Sequence, residues 1–378
     1  MLSRSLIGSL ALAIFFGFST PVLSAGVFKT EKVTILVELL TDKLQQPWGI
    51  DFLPDGRMIV TEKPGRIRIV TRDGKLSPPI KNPPHQAYYG QGGLLDVTIH
   101  PDFAKNRLLY FSYAEQGSDG YYTALMRGRL SADETALEGG KVLFRQTPAA
   151  GDPRHFGSRV VFAPDGSVFL TTGDRGNRQQ AQQLHSHIGK VIRLTAEGGI
   201  PPDNPFIGRK TAKPEIWSYG HRNIQGAAIH PATEKLWTIE HGPRGGDEIN
   251  IPAPGANHGW PVVSHGVEYS GGQIGDGLKS TPGMTDPIVT WTPVIAPGGI
   301  TFYTGDLFPE WQGNLLISGL RARAVVRLEL NGDKVVREER LLRQIGSRIR
   351  DVAVGPDGAV YAITDENDGK ILRITPVR

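Results

Sequence analysis

The sequence predicts an all-β fold, a six-bladed β-propeller, from three observations. One phrase recurs six times at intervals of about 60 residues, further strand-like pieces bring each unit to about four short strands, and no long window carries helical periodicity. The phrase is an apolar residue, a proline-containing turn that often holds Asp-Gly, and an alternating strand that ends in small or polar residues. It reads FLPDGRMIVTE (Phe52 to Glu62), IHPDFAKNRLLYFSY (Ile99 to Tyr113), FAPDGSVFLTTGD (Phe162 to Asp174) and IHPATEKLWTIEHG (Ile229 to Gly242). Two variants follow, LFPEWQGNLLISGL (Leu307 to Leu320) and VGPDGAVYAITDE (Val354 to Glu366).

Asp-Gly between apolar runs signals a hairpin, because glycine accepts the positive φ of a tight turn. Each unit therefore opens with a strand pair. GRIRIV (Gly65 to Val70), GKVIRL (Gly189 to Leu194) and AVVRLEL (Ala324 to Leu330) supply outer strands. Repeating such units radially leaves little exposed sheet edge. The early run VTILVEL (Val33 to Leu39) is expected to close the ring by joining the last blade, and Gln179 to Leu184 reads as a short helical loop segment. Two β-sandwiches that share turn residues are the competing fold.

Composition narrows the chemistry. Among 378 residues, 42 basic and 38 acidic side chains leave a net charge of +4, which gives no reason to expect nucleic acid as a partner. With no cysteine, disulfides, thiolate zinc sites, iron–sulfur clusters and cysteine nucleophiles are excluded, and any metal must use oxygen or imidazole. The start of the chain carries Arg4, a largely apolar run from Leu6 to Phe18 and small residues at Ser24 and Ala25. That is the pattern of a cleavable signal peptide, and the run is shorter than the roughly 20 residues of a membrane span. The expected organisation is a leader at 1–24 and one propeller domain at 25–378, periplasmic or secreted, with an uncleaved anchor as the alternative.

No G-x-G-x-x-G fingerprint follows a strand, and P-loop and G-x-S-x-G motifs are absent. The chemistry is then expected at the mouth of the central channel, where loops converge. EHGPRGGDEIN (Glu240 to Asn250) combines backbone carbonyls with Asp247 and Glu248, which suits calcium and equally suits an ordinary glycine-rich turn. Arg222 beside Asn223, Arg321 with Arg323, and Arg348 with Arg350 come from three units. They either converge on one anionic ligand or stand as solvated strand-end charges. His155 in the loop DPRHFGSRV is a candidate general base, whereas His185 and His187 lack a third ligand and read as structural.

Together GQGGLLDV (Gly90 to Val97), RHFGSRV, IPPDNPF (Ile200 to Phe206), WSYGHRNIQG, EHGPRGGDEIN, ANHGWP (Ala256 to Pro261) and SRIRDV resemble the soluble pyrroloquinoline-quinone-dependent sugar dehydrogenases, in the bacterial aldose sugar dehydrogenase branch. The resemblance spans nearly the whole mature chain. It implies a six-bladed propeller that holds pyrroloquinoline quinone and calcium and oxidises aldose sugars to aldonolactones, passing electrons to an acceptor whose identity stays open. By motif match it implies His155 as general base. Gln91, Arg222, Asn223, Tyr269, Arg321, Arg323, Arg348 and Arg350 are implied as cofactor contacts. The carbonyls of Gly242 and Pro243 are implied at the cofactor calcium, with Glu248 and the His258 carbonyl at a second, structural calcium. The chain departs from the family pattern at Arg154, where an aspartate often precedes the base, at Arg321 in place of a common lysine, and at His258 in place of a common tyrosine. His155 must then be oriented by another group. A monomer or homodimer is expected. The competing functions are a non-catalytic sugar- or protein-binding propeller and a calcium-dependent lactonase, which would place carboxylates where this chain places arginines.

Overall fold

The computed structural model describes residues 23–377, which form six antiparallel sheets and three single-turn 3-10 segments, with one four-residue helix. The expected leader lies outside the described residues except for Leu23 and Ser24, which begin the strand Leu23–Lys29. No helix among the described residues is long and apolar enough to cross a membrane.

Each sheet starts at the centre of the molecule. The innermost strands are, in chain order, Pro47–Phe52, Leu94–Ile99, Gly157–Phe162, Ile224–Ile229, Pro297–Phe302 and Ile349–Val354. Every one packs against the next, and the sixth packs against the first, so the ring is closed. The prolines at 54, 101, 164, 231, 309 and 356 all fall in the connection from an innermost strand to the second strand of its sheet. Gly56, Gly166 and Gly358 of the Asp-Gly pairs have φ of 82°, 80° and 77°, the left-handed region that the hairpin requires.

Four blades have the expected four strands, the first has three, and the last has five. The fifth arises from closure. Thr34–Leu44 pairs antiparallel with Gly369–Pro376, from Ile35 opposite Pro376 to Leu44 opposite Gly369 with register shifts on either side of Thr41, and Leu23–Lys29 adds outside it. The expectation for the early strand therefore holds, and the strand runs five residues further than Leu39. Between blades the sheets stack face to face. Ile59 and Ile67 of the first blade pack with Leu109 and Phe111 of the second, and Trp237 and Ile239 of the fourth with Leu315 and Ile317 of the fifth. Second strands such as Met58–Glu62 are buried along their full length, as strands covered on both faces must be.

This topology positions the site. In an antiparallel blade, the start of the innermost strand lies beside the end of the second strand, so both open onto one mouth of the channel. All six innermost strands also break register near their first residues, and such bulges re-aim side chains at the rims of sheets.

Candidate active site

Two adjoining cavities occupy this mouth, one of about 1180 Å³ and one of about 240 Å³, and they share His241, Ala296, Leu320 and Arg348. His155 stands just before the innermost strand of the third blade, with its backbone at φ 54° and its side chain 12% exposed. Its amide donates to Gln91 Oε1 at 2.9 Å. Its Nδ1 meets Asp174 Oδ1 at 2.6 Å, and Asp174 follows the second strand of the same blade. Burial pushes the Asp174 carboxyl up, but the hydrogen bond and charge of His155, the charge of Arg222 and the Gly176 amide outweigh it and hold it below the usual carboxylate range. An ionised Asp174 accepts the proton on Nδ1 and so fixes the tautomer with Nε2 as the basic nitrogen. No hydrogen bond among the described residues uses Nε2. Asp174 is the orienting group that Arg154 cannot be, because Arg154 turns away to pair with Asp152.

Of the arginines singled out in the sequence, Arg348 and Arg350 line the smaller cavity, Arg321, Arg323 and Arg348 line the larger, and Arg222 lines neither. Arg348 and Arg350 both reach Asp365 Oδ2, at 2.9 and 3.4 Å, and line the smaller cavity with Lys63, Gln91 and Asn223. Burial lowers the Lys63 pKa, and Arg350 and Arg348 lower it further against the opposing charge of Asp365. One carboxylate thus faces three cationic side chains. Arg321, Arg323 and Arg348 line the larger cavity with Gly242, Pro243 and Tyr269, the last being 70% exposed at the rim. Arg222 donates from Nη1 to the His241 carbonyl at 3.0 Å. The Nε atoms of Arg222 and Arg350 are buried without a hydrogen-bond partner among the described residues. Asn223 Oδ1 accepts from the Gly157 amide at 3.1 Å and ties the fourth blade to the third.

The loop that begins at His241 is closed on itself by Asp247, whose carboxylate accepts from the Gly242 amide at 2.9 Å and the Ala296 amide at 2.7 Å. Neither the Gly242 nor the Pro243 carbonyl accepts a hydrogen bond among the described residues. Glu248 and His258 lie apart from the cavities. Burial first, then the Glu240 charge, pushes Glu248 up to about 8, and Asn250 Nδ2 bridges the two carboxylates at 3.0 and 3.1 Å. The His258 ring stacks on His221 with centroids 4.7 Å apart. His221 in turn holds Glu240 at 2.8 Å, so all five side chains form one buried cluster. No group of three or more His, Asp or Glu side chains among the described residues is arranged as metal ligands. His187 is tied to Thr147 and Glu215, as a structural residue would be, whereas His185 is exposed and makes no side-chain hydrogen bond among the described residues.

Residues 44–373 match the family model described as glucose/sorbosone dehydrogenase. The chain belongs to that family. It is 45% identical over 346 residues to aldose sugar dehydrogenase YliI of Escherichia coli, covering 91% of this chain and 93% of the relative. The apo crystal structure of the soluble aldose sugar dehydrogenase of Escherichia coli superposes with a TM-score of 0.88 at 44% identity, covering 91% of this chain and all of the other. The quinone-bound aldose sugar dehydrogenase of Streptomyces coelicolor gives 0.74 at 27% identity, with 90% and 98% covered.

Within this family member, sequence reading missed Lys63, Asp174, His241 and Asp365. His241 donates from Nε2 to the Pro297 carbonyl at 2.6 Å, and burial lowers its pKa to about 3, so it is neutral and leaves Nδ1 as an acceptor at the junction of the cavities. A signal for these residues existed: all four follow second strands, at or just beyond the polar ends of repeat phrases.

Proposed function

We propose that this chain oxidises aldose sugars at the anomeric carbon to aldonolactones with pyrroloquinoline quinone and calcium, using His155 as general base. The observation that carries the reading is a histidine–aspartate pair with a free Nε2, whose histidine amide is held by Gln91 and is followed in the chain by Phe156 and Gly157, all three lining residues of an arginine- and lysine-lined well. The residues fit the cofactor. A buried tricarboxylate needs charge partners, and Arg350 keeps an unpartnered buried Nε in the cavity that Lys63 and Arg348 also line. Calcium takes oxygen ligands, and the Gly242 and Pro243 carbonyls are free to serve. Glu248 and the His258 carbonyl are proposed to hold a structural calcium.

When bound, the quinone supplies a two-electron acceptor and calcium a polarising charge. His155 Nε2 takes the hydroxyl proton at the sugar C1 as hydride leaves that carbon, which closes the C1 carbonyl of the lactone. Asp174 holds the imidazole and stabilises the imidazolium that forms. Gln91 and Asn223 fix the His155 main chain and its neighbouring strand. Arg321, Arg323, Arg348, Arg350 and Tyr269 hold the cofactor, and electrons pass on to an external acceptor. The sequence leader supports a periplasmic or secreted location, for a monomer or homodimer.

Purified apoprotein given quinone and calcium should reduce a redox dye when glucose is added. A folded, reconstituted sample that reduces no dye contradicts the proposal, and lactone opening without the quinone would favour a hydrolase.

A further inference from the structure

Resting on the proposed reaction, we propose that Trp260 is a positioning residue that locks the Asp174–His155 pair and joins it to Arg222. The indole Nε1 donates to Asp174 Oδ2 at 2.8 Å, while Oδ1 of the same carboxylate meets His155. Oδ1 also accepts from the Gly176 amide at 2.9 Å, and the indole adds the only side-chain hold on the second oxygen among the described residues. Held through both oxygens, the carboxylate presents one fixed lone pair to the imidazole. The indole face lies 5.4 Å from the Arg222 guanidinium carbon, within cation–π range, and the Asp174 amide donates to the Arg222 carbonyl at 2.7 Å. One side chain thus touches both the group that orients the base and the guanidinium of Arg222.

Trp260 is itself clamped. Gln182 Nε2 donates to its carbonyl at 2.8 Å, its amide donates to the Gly220 carbonyl at 2.9 Å, and its ring is 7% exposed between Ala181 and Ile274. Trp237 and Trp311 are buried with an idle Nε1, and Trp217 and Trp291 donate to the Pro252 carbonyl and to Glu338, away from His155. What sets Trp260 apart is its acceptor, the carboxylate that meets His155.

The test is a double-mutant cycle on the reconstituted enzyme with Trp260→Phe, Asp174→Ala and the pair. Trp260→Phe should lower kcat by about tenfold or more, with the sugar KM changed by less than about threefold. In the Asp174→Ala background it should change kcat by less than about twofold, because the route through Asp174 is already gone. Equal losses in both backgrounds, or a kcat unchanged by Trp260→Phe alone, overturn the proposal. A second measurement needs neither activity nor a folded Trp260 variant. In apoprotein the indole N–H resonance assigned to Trp260 should move on Asp174→Asn while those of the other tryptophans hold, and an unmoved resonance overturns the contact. Should wild-type protein reduce no dye, the dehydrogenase reading fails, and the resonance still decides whether the indole holds Asp174.

Discussion

Gly173 separates the second strand of the third blade from Asp174, and a Cβ built on it would lie 1.9 Å from the His155 carbonyl oxygen and 2.5 Å from its carbon. Side-chain carbons do not approach heavy atoms closer than 3.0 Å, so Gly173→Ala must drive that carbonyl away by at least about 1.1 Å. The obstacle is backbone, with no flexible tip to swing aside. Because Gly173 adjoins Asp174, the shift separates His155 from the carboxylate that it now meets at 2.6 Å. A misplacement of about 1 Å costs about 100-fold in rate, and overpacking of this kind costs about 1–3 kcal/mol in stability. The variant should therefore stay folded, with a modestly lowered melting temperature, and lose about two orders of magnitude in kcat for dye reduction by an aldose. A kcat within twofold of wild type would refute the claim that this backbone contact sets the base.

Asp174→Asn keeps the shape of the pair but lets Nδ1 accept, which favours the tautomer with a proton on Nε2. Its kcat should fall by about 100-fold or more, measured with saturating sugar, and an unchanged kcat would remove Asp174 from the reaction. Arg350→Gln deletes a buried charge beside the Asp365 carboxylate. Titration of the quinone into calcium-loaded apoprotein should show affinity weakened by about 30-fold or more, and equal affinity would contradict the basic well. On the channel axis, Asp96 and Asp351 share Arg159 at 2.8 and 2.9 Å, and burial pushes Asp96 up to about 7. Its folded acidity is weaker than its unfolded acidity, so its contribution is full at about pH 4 and disappears as pH rises through about 7, by at most about 4 kcal/mol. Urea midpoints should decline between pH 5 and 8 in the wild type and decline less in Asp96→Asn; parallel profiles would contradict this.

The sequence exposed the parts of the fold that local physics dictates. Proline at six turns, with Asp-Gly at three of them, marks six hairpins because these φ preferences act locally, and alternation marks the strands that follow. The three-stranded first blade and the full length of the closing strand were not legible, since both depend on pairings between distant segments such as Leu44 with Gly369. The same division runs through the site. His155, Arg222, Arg348 and Arg350 were legible through motifs. The group that orients His155 was not, because Asp174 reaches it from 19 residues away across a blade and Trp260 closes on Asp174 from 86 residues away. Adjacency at the mouth follows from antiparallel pairing of innermost and second strands, so acids at the ends of second strands are candidates in any chain of this pattern. Glu62, Glu240 and Asp365 hold such places here, each with cationic or amide donors gathered on its carboxylate.

The central claim is that a basic well holds the quinone while His155 takes the sugar proton. Anaerobic mixing of reconstituted protein with an aldose, followed by the cofactor absorbance, separates these two roles in one trace. Wild type should bleach within the first turnover, and His155→Ala should carry the same quinone load yet bleach at least about 100-fold more slowly. Bleaching of the His155→Ala protein at the wild-type rate would contradict the account.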